Sequence, residues 1–95
     1  MTLIWTKSAR ADLMAIHRYI SLRSPQAANQ VKHNIVFSAR KLIDFPEIGR
    51  TAHRPNVRLL PVSGLPYILV YRIVSTQVEI GSVLDDRMDR APDLL

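Results

Sequence analysis

Ninety-five residues with no cysteine and a net charge of +5 read as one domain over residues 1–95, and they exclude a disulfide framework or a cysteine-based metal site. Apolar residues make up 47% and charged residues 22%, the balance of a globular chain rather than a disordered one. No apolar run approaches the ~20 residues that span a bilayer, and the opening Met-Thr-Leu-Ile-Trp lacks the apolar core of a signal peptide, so the expectation is a cytoplasmic protein without a membrane partner.

Leu3-Ile4-Trp5 is long enough for one short strand, which needs a sheet to join. Thr6-Lys7-Ser8 breaks it. Ser8 fits a helix N-cap, and Asp12 lies near the positive end of that helix. Leu13, Ile16 and Ile20 continue a stripe begun at Ala9, which predicts a helix over 8–22 with Arg10, Arg18 and Asp12 off the apolar face. Ser24-Pro25 is the clearest helix start in the chain, since Ser caps a free N–H and Pro at the first helical position gives up a donor that had no partner. Ala28, Val31, Ile35 and Leu42 form the next stripe, with Ala39 beside it. Pro46 disfavours helix at Phe45, so the second helix ends near Asp44. The short link at Leu22-Arg23-Ser24 makes the two helices an antiparallel hairpin.

Residues 50–58 hold Arg50, His53, Arg54 and Arg58 with no acid, a solvated loop or an anion-contacting patch. Val57 to Val62 then reads as a strand, Ser63-Gly64-Leu65-Pro66 as a turn, and Tyr67 to Val74 as a second strand, apolar on both parities except at Arg72. Such a strand belongs in the middle of its sheet. After Ser75-Thr76, Gln77 to Leu84 is a third strand with Val78, Ile80 and Leu84 on one parity and Glu79, Gly81 and Val83 on the other. The fold class is α+β in the order β-α-α-β-β-β, an N-terminal strand and an antiparallel helical hairpin packed on one face of a mainly antiparallel sheet. Leu13, Ile16, Ile20, Val31, Ile35 and Leu42 should fill the space between. The other face keeps either Ile68, Val70 and Val74, or Tyr67, Leu69, Tyr71 and Ile73, uncovered, which marks a protein interface.

Charge adds to that reading. Residues 1–78 carry eleven basic residues and three acids, a balance of +8, and the last 17 residues carry −3. A basic body suits an acidic or polyanionic partner. Other chemistries are weaker. His17, His33 and His53 lack metal-ligand spacing. Asp85, Asp86 and Asp89 form an acidic turn rather than a cation site. Tyr67 and Tyr71, four residues apart, fit core packing better than base stacking. Neither a phosphate loop nor a nucleophile elbow is present, and nothing calls for a cofactor.

Several stretches in order resemble the RelE/ParE superfamily of toxins from bacterial type II toxin–antitoxin systems. They are Trp5-Thr-Lys-Ser-Ala9, Asp12-Leu13-Met-Ala-Ile16, Ser24-Pro25-Gln-Ala-Ala28, Pro46-Glu-Ile-Gly49-Arg50, Val57-Arg58, Pro66-Tyr67-Ile-Leu-Val-Tyr71-Arg72 and Val78-Glu-Ile80. The resemblance covers nearly the whole chain. It implies the same α+β fold and a cognate antitoxin that wraps the toxin in a hetero-oligomeric complex. RelE-like members resemble ribosome-dependent mRNA endoribonucleases and place cations on their strands. One such position, three residues before the tyrosine that matches Tyr71, is Ile68 here, and the preceding strand reads Leu59-Leu60-Pro61-Val62. Asp85 stands where many relatives carry a histidine. Arg50, His53, Arg58, Arg72 and Arg87 are the remaining candidates for a cleavage site. The Pro-Tyr-Ile-Leu-Val-Tyr-Arg wording is closer to ParE-like members, which resemble inhibitors that bind DNA gyrase. By that likeness the chain is a binding toxin rather than an enzyme. An antitoxin would then contact Arg50, Arg54, Arg58, Ile68, Val70, Arg72 and Val74, as an amphipathic helix or added strand with acidic residues near the arginines.

Overall fold

The computed structural model describes residues 1–87. The chain forms β1 (Thr2–Trp5), α1 (Lys7–Ser21), α2 (Pro25–Asp44), β2 (Arg50–Thr51), β3 (Val57–Pro61), β4 (Tyr67–Val74) and β5 (Gln77–Asp85). The sheet order is β1-β5-β4-β3-β2, with β1 parallel to β5 and every other pair antiparallel. This is the expected α+β arrangement, with β4 in the middle.

Local chemistry sets the helix ends. Ser24 caps α2 by accepting from Ala27 N at 3.1 Å, and Pro25 follows at the first helical position. The helix stops at Asp44 because Phe45, held extended in φ before Pro46, leaves the helical region. At α1 the cap is Thr6, not the expected Ser8. Thr6 is the first residue beyond β1, and its hydroxyl accepts from Ala9 N at 3.1 Å while donating to Ile80 O at 2.8 Å. Tertiary contact with β5 thus decides between two residues of equal capping ability. Asp12 likewise serves the sheet rather than the helix dipole. β1 ends opposite Ile80, leaving the outer edge of β5 bare beyond it, and the Asp12 carboxylate accepts from Val83 N there at 2.9 Å.

The core lies between hairpin and sheet. Leu13, Ile35, Ala39 and Leu42 from the helices meet Tyr67, Leu69, Tyr71, Val78, Ile80 and Val83 from the sheet. Of the expected set, Ile16 and Val31 are half-buried against it, and Ile20 is half-buried without joining it. Both tyrosines are core residues, at 5% and 1% exposure. Burial raises both phenols above the ordinary tyrosine range.

The expected parity of β5 holds only for its first half. Tyr71 pairs with Ile80 but Val70 pairs with Ser82, so Gly81 is an extra residue and the strand bulges. Val83 therefore turns inward, and Leu84 shares the outer face with Ile68 rather than following Val78 and Ile80 into the core. β2 was not expected, since two residues carry no periodicity.

A latch joins the end of α2 to the sheet. Tyr71 donates its hydroxyl to Pro46 O at 2.7 Å and accepts from Gly49 N at 2.9 Å. Arg58 reaches the same segment, donating to Gly49 O at 2.8 Å and Glu47 O at 3.2 Å. A side chain at Gly49 has no room, because a Cβ there would lie 2.6 Å from the Tyr71 hydroxyl and 2.9 Å from Leu59 O. Tyr71→Phe keeps the ring but strips a buried N–H of its acceptor and should cost about 1–3 kcal/mol, read from urea unfolding. An unchanged midpoint would show that the latch contributes nothing to stability.

Candidate docking surface

Cross-strand partners point to the same face of a sheet. The outer face is therefore built in rows, Pro61-Ile68-Leu84, then Arg50-Leu59-Val70-Ser82, then Val57-Arg72-Glu79-Ile4. Among the described residues no helix lies on this face, as both helices pack against β5 and α2 also reaches β1 from the other side. Ile68 and Val70 are half-buried, Val74 is 39% exposed and Ile4 36% exposed. Leu59 is nearly inaccessible although it lies outside the main cluster, flanked in register by Arg50 and Val70. Val57, Val70, Arg72, Glu79 and Gly81 line a depression of about 360 Å³, with Thr6 and Ser8 at its margin. The face is thus apolar, shallow and crossed by one ion pair, Arg72 Nε to Glu79 Oε1 at 2.9 Å. Both partners keep contact with water, so the pair contributes little to stability.

The five arginine and histidine candidates for a cleavage site do not gather in one place. Arg50 shares the outer face with Val70, whereas Arg58 shares the inner face with Tyr71 and is spent on the Glu47 and Gly49 carbonyls. Arg72 is answered by Glu79. Arg87 lies beyond the opposite end of β4. Asp85, which pairs with Tyr67, holds it at 2.7 and 3.0 Å, and five residues of strand separate Tyr67 from Arg72, about 17 Å. Hydrogen bonding and attraction to that carboxylate raise the Arg87 pKa further. Among the described residues, His53 and Arg58 of that set come together, with Arg54, around a cavity of about 510 Å³ that Glu47, Asn56 and Ile73 also line. His53 and Arg54 are exposed.

Of the expected docking residues, Arg50, Ile68, Val70, Arg72 and Val74 share the outer face. Arg54 sits in the loop beside it, and Arg58 points away. Ile4, Val57 and Glu79 join the surface without having been singled out. Glu79 was within reach of sequence reasoning, because the two-residue link Ser75-Thr76 sets Val74 against Gln77 and hence Arg72 against Glu79. The acidic segment also had a place for Asp89, which lies outside the described residues.

Comparison with known proteins decides the family. The model for the ParE toxin of the type II toxin–antitoxin system parDE matches residues 3–90. The chain belongs to the ParE toxin family. Toxin RelE2 of Caulobacter vibrioides is 36% identical over 77 residues, covering 81% of this chain and 85% of that protein. The putative toxin Y4kP of Sinorhizobium fredii is 36% identical over 80 residues, covering 84% and 82%. Among solved structures, a chain of the chromosomal ParDE system from P. aeruginosa superposes with a TM-score of 0.78 at 30% identity, over 87% of this chain and 92% of that one. As a ParE-family toxin, the protein is the toxic component of a type II toxin–antitoxin system. No helix among the described residues is long and apolar enough to cross a membrane.

Proposed function

We propose that this ParE-family toxin acts in the cytoplasm by binding DNA gyrase, and that a cognate antitoxin silences it by covering the outer sheet face. The dispersal of the cations carries the first half. Cleaving RNA requires acid–base groups and positive charge gathered at one phosphate. Here Arg50, Arg72 and Arg87 occupy three separate places, and Arg58 is tied to backbone carbonyls. Ile68, where RelE-like relatives carry a cation, is one of the apolar residues of the outer face. Binding needs no such convergence. The apolar outer face supports the second half, as does the likeness to a chain of a ParDE system.

The second reading is ribosome-dependent mRNA cleavage, favoured by the name of the relative RelE2 and by the grouping of His53, Arg54 and Arg58. Purified toxin is expected to block gyrase supercoiling and to leave ribosome-bound mRNA intact in primer extension. A-site cleavage that vanishes in Arg58→Ala or Arg72→Ala, with supercoiling unaffected, would overturn the gyrase reading.

A further inference from the structure

The helical hairpin has a groove of its own. Met14 and His17 line it beside the nearly buried Leu13, and the groove encloses about 560 Å³. Arg10 and Arg18 of α1 and Lys32 of α2 stand at its rim. Arg10, Met14, His17 and the lining residue Ser21 recur at i, i+4, i+7 and i+11, so the groove follows one stripe of α1 for about 16 Å, three turns of a second helix. His17 fixes the floor, its Nε2 lying 2.8 Å from Asn29 Oδ1 across the hairpin. Met14 is 60% exposed, an adaptable apolar side chain that the fold leaves in water.

Charge identifies the occupant. Among the described residues three cations line the groove and no carboxylate does. Asp12, the one acid of α1, is turned to Val83 N instead. The ion pairs among the described residues, Arg72–Glu79 and Arg87–Asp85, use none of the rim cations. A nucleic acid would also answer the charge, but the groove holds no aromatic side chain for bases to stack on apart from the His17 ring, and its floor is apolar. We infer that the hairpin groove docks an acidic amphipathic helix of a protein partner, separately from the sheet face that the antitoxin covers. Apolar residues of the incoming helix at i, i+4 and i+7 lie on Leu13 and Met14, and its flanking Glu or Asp residues face Arg10, Arg18 and Lys32. The inference goes beyond the gyrase reading, since it holds whichever target the toxin has.

A fluorescein-labelled, lactam-locked helical peptide with a leucine stripe flanked by glutamates is the probe. Its anisotropy is read with the full-length toxin, free and in the toxin–antitoxin complex. Saturable binding is expected, with amide shift changes along residues 10–21 and at Lys32 rather than along β4. Met14→Glu is expected to weaken binding by about tenfold or more, as for the loss of an interface anchor, while its melting curve matches the parent. The triple variant Arg10→Ala, Arg18→Ala, Lys32→Ala should flatten the salt dependence, and Phe37→Ala, on the exposed face of α2 outside the groove, should leave the peptide's affinity for the free toxin at the parent value. Binding should persist in the toxin–antitoxin complex. Unchanged affinity in folded Met14→Glu overturns the inference. So does displacement of the peptide by antitoxin, which makes the groove part of the antitoxin's own footprint. So too does the failure of the peptide alongside tight binding of a single-stranded oligonucleotide, which assigns the surface to a polyanion. None of these outcomes bears on the supercoiling assay.

Discussion

Leu42→Ala is expected to remove about 2–5 kcal/mol of stability, the range for a leucine deleted from a sealed core. Leu42 is wholly buried and belongs to the cluster with Ile35, Ala39, Leu69, Tyr71 and Ile80. Two constraints push the cost upward. The residue sits near the end of α2, where Phe45 and Pro46 fix the chain direction, and the Tyr71 latch pins Pro46 and Gly49, four and seven residues on, to the sheet. The backbone therefore has little freedom to collapse into the space left behind. In a domain of this size each kcal/mol moves the melting temperature by about 4–8 °C, so the variant should melt at least about 8 °C lower. Urea unfolding gives the free energy directly. A loss under about 0.5 kcal/mol would mean that the helical face packed on the sheet is a different one.

The second large effect concerns the outer face. Ile68→Asp, Val70→Asp and Val74→Asp should each weaken antitoxin binding by about 2–4 kcal/mol, the cost of a charge facing an apolar contact at the centre of an interface. Val74, at the end of β4 and already partly in water, is the safest for folding. Val70 lies beside the depression and should give the largest loss. Because Arg72 is neutralised by Glu79, acidic antitoxin residues should sit nearer Arg50 and Arg54. Rising salt should then slow association more than it speeds dissociation. Calorimetry on the three variants, with melting curves to show that each is folded, decides the matter. Parent affinity in all three would place the antitoxin elsewhere.

Local rules made the helices and the hairpin of β4 and β5 legible. Ser24-Pro25, Phe45-Pro46 and the Gly64 and Ser75 turns each act within a few residues, and the ranges of α2 and β4 follow from them. What stayed hidden is long-range. Ser8 and Thr6 are equal caps until Ile80 O is placed beside one of them, 74 residues away. The bulge at Gly81 has no mark that separates it from an ordinary glycine in a strand, and it reverses which residues of β5 face inward thereafter. The dispersal of Arg50, Arg58, Arg72 and Arg87 depends on strand register, and their type alone suggested a cluster. The hairpin groove left no mark in the sequence, because it depends on how α1 and α2 pack, as the His17–Asn29 contact across the hairpin shows.

The parallel pairing of β1 with β5 bears on when this molecule becomes complete. Thr2 pairs with Gln77 and Trp5 with Ile80, so the first strand to be synthesised waits for the last. The attachments of α1 to the sheet through Thr6 and Asp12 likewise need Ile80 and Val83. Such distant closures come late in folding, since the loop entropy is lost before any contact offsets it. Until residues 77–85 are available, β1 has no partner strand and the hairpin lacks its seat, and a growing chain has no finished surface to offer. The topology thus delays both toxicity and capture by an antitoxin until β5 has found its place beside β1.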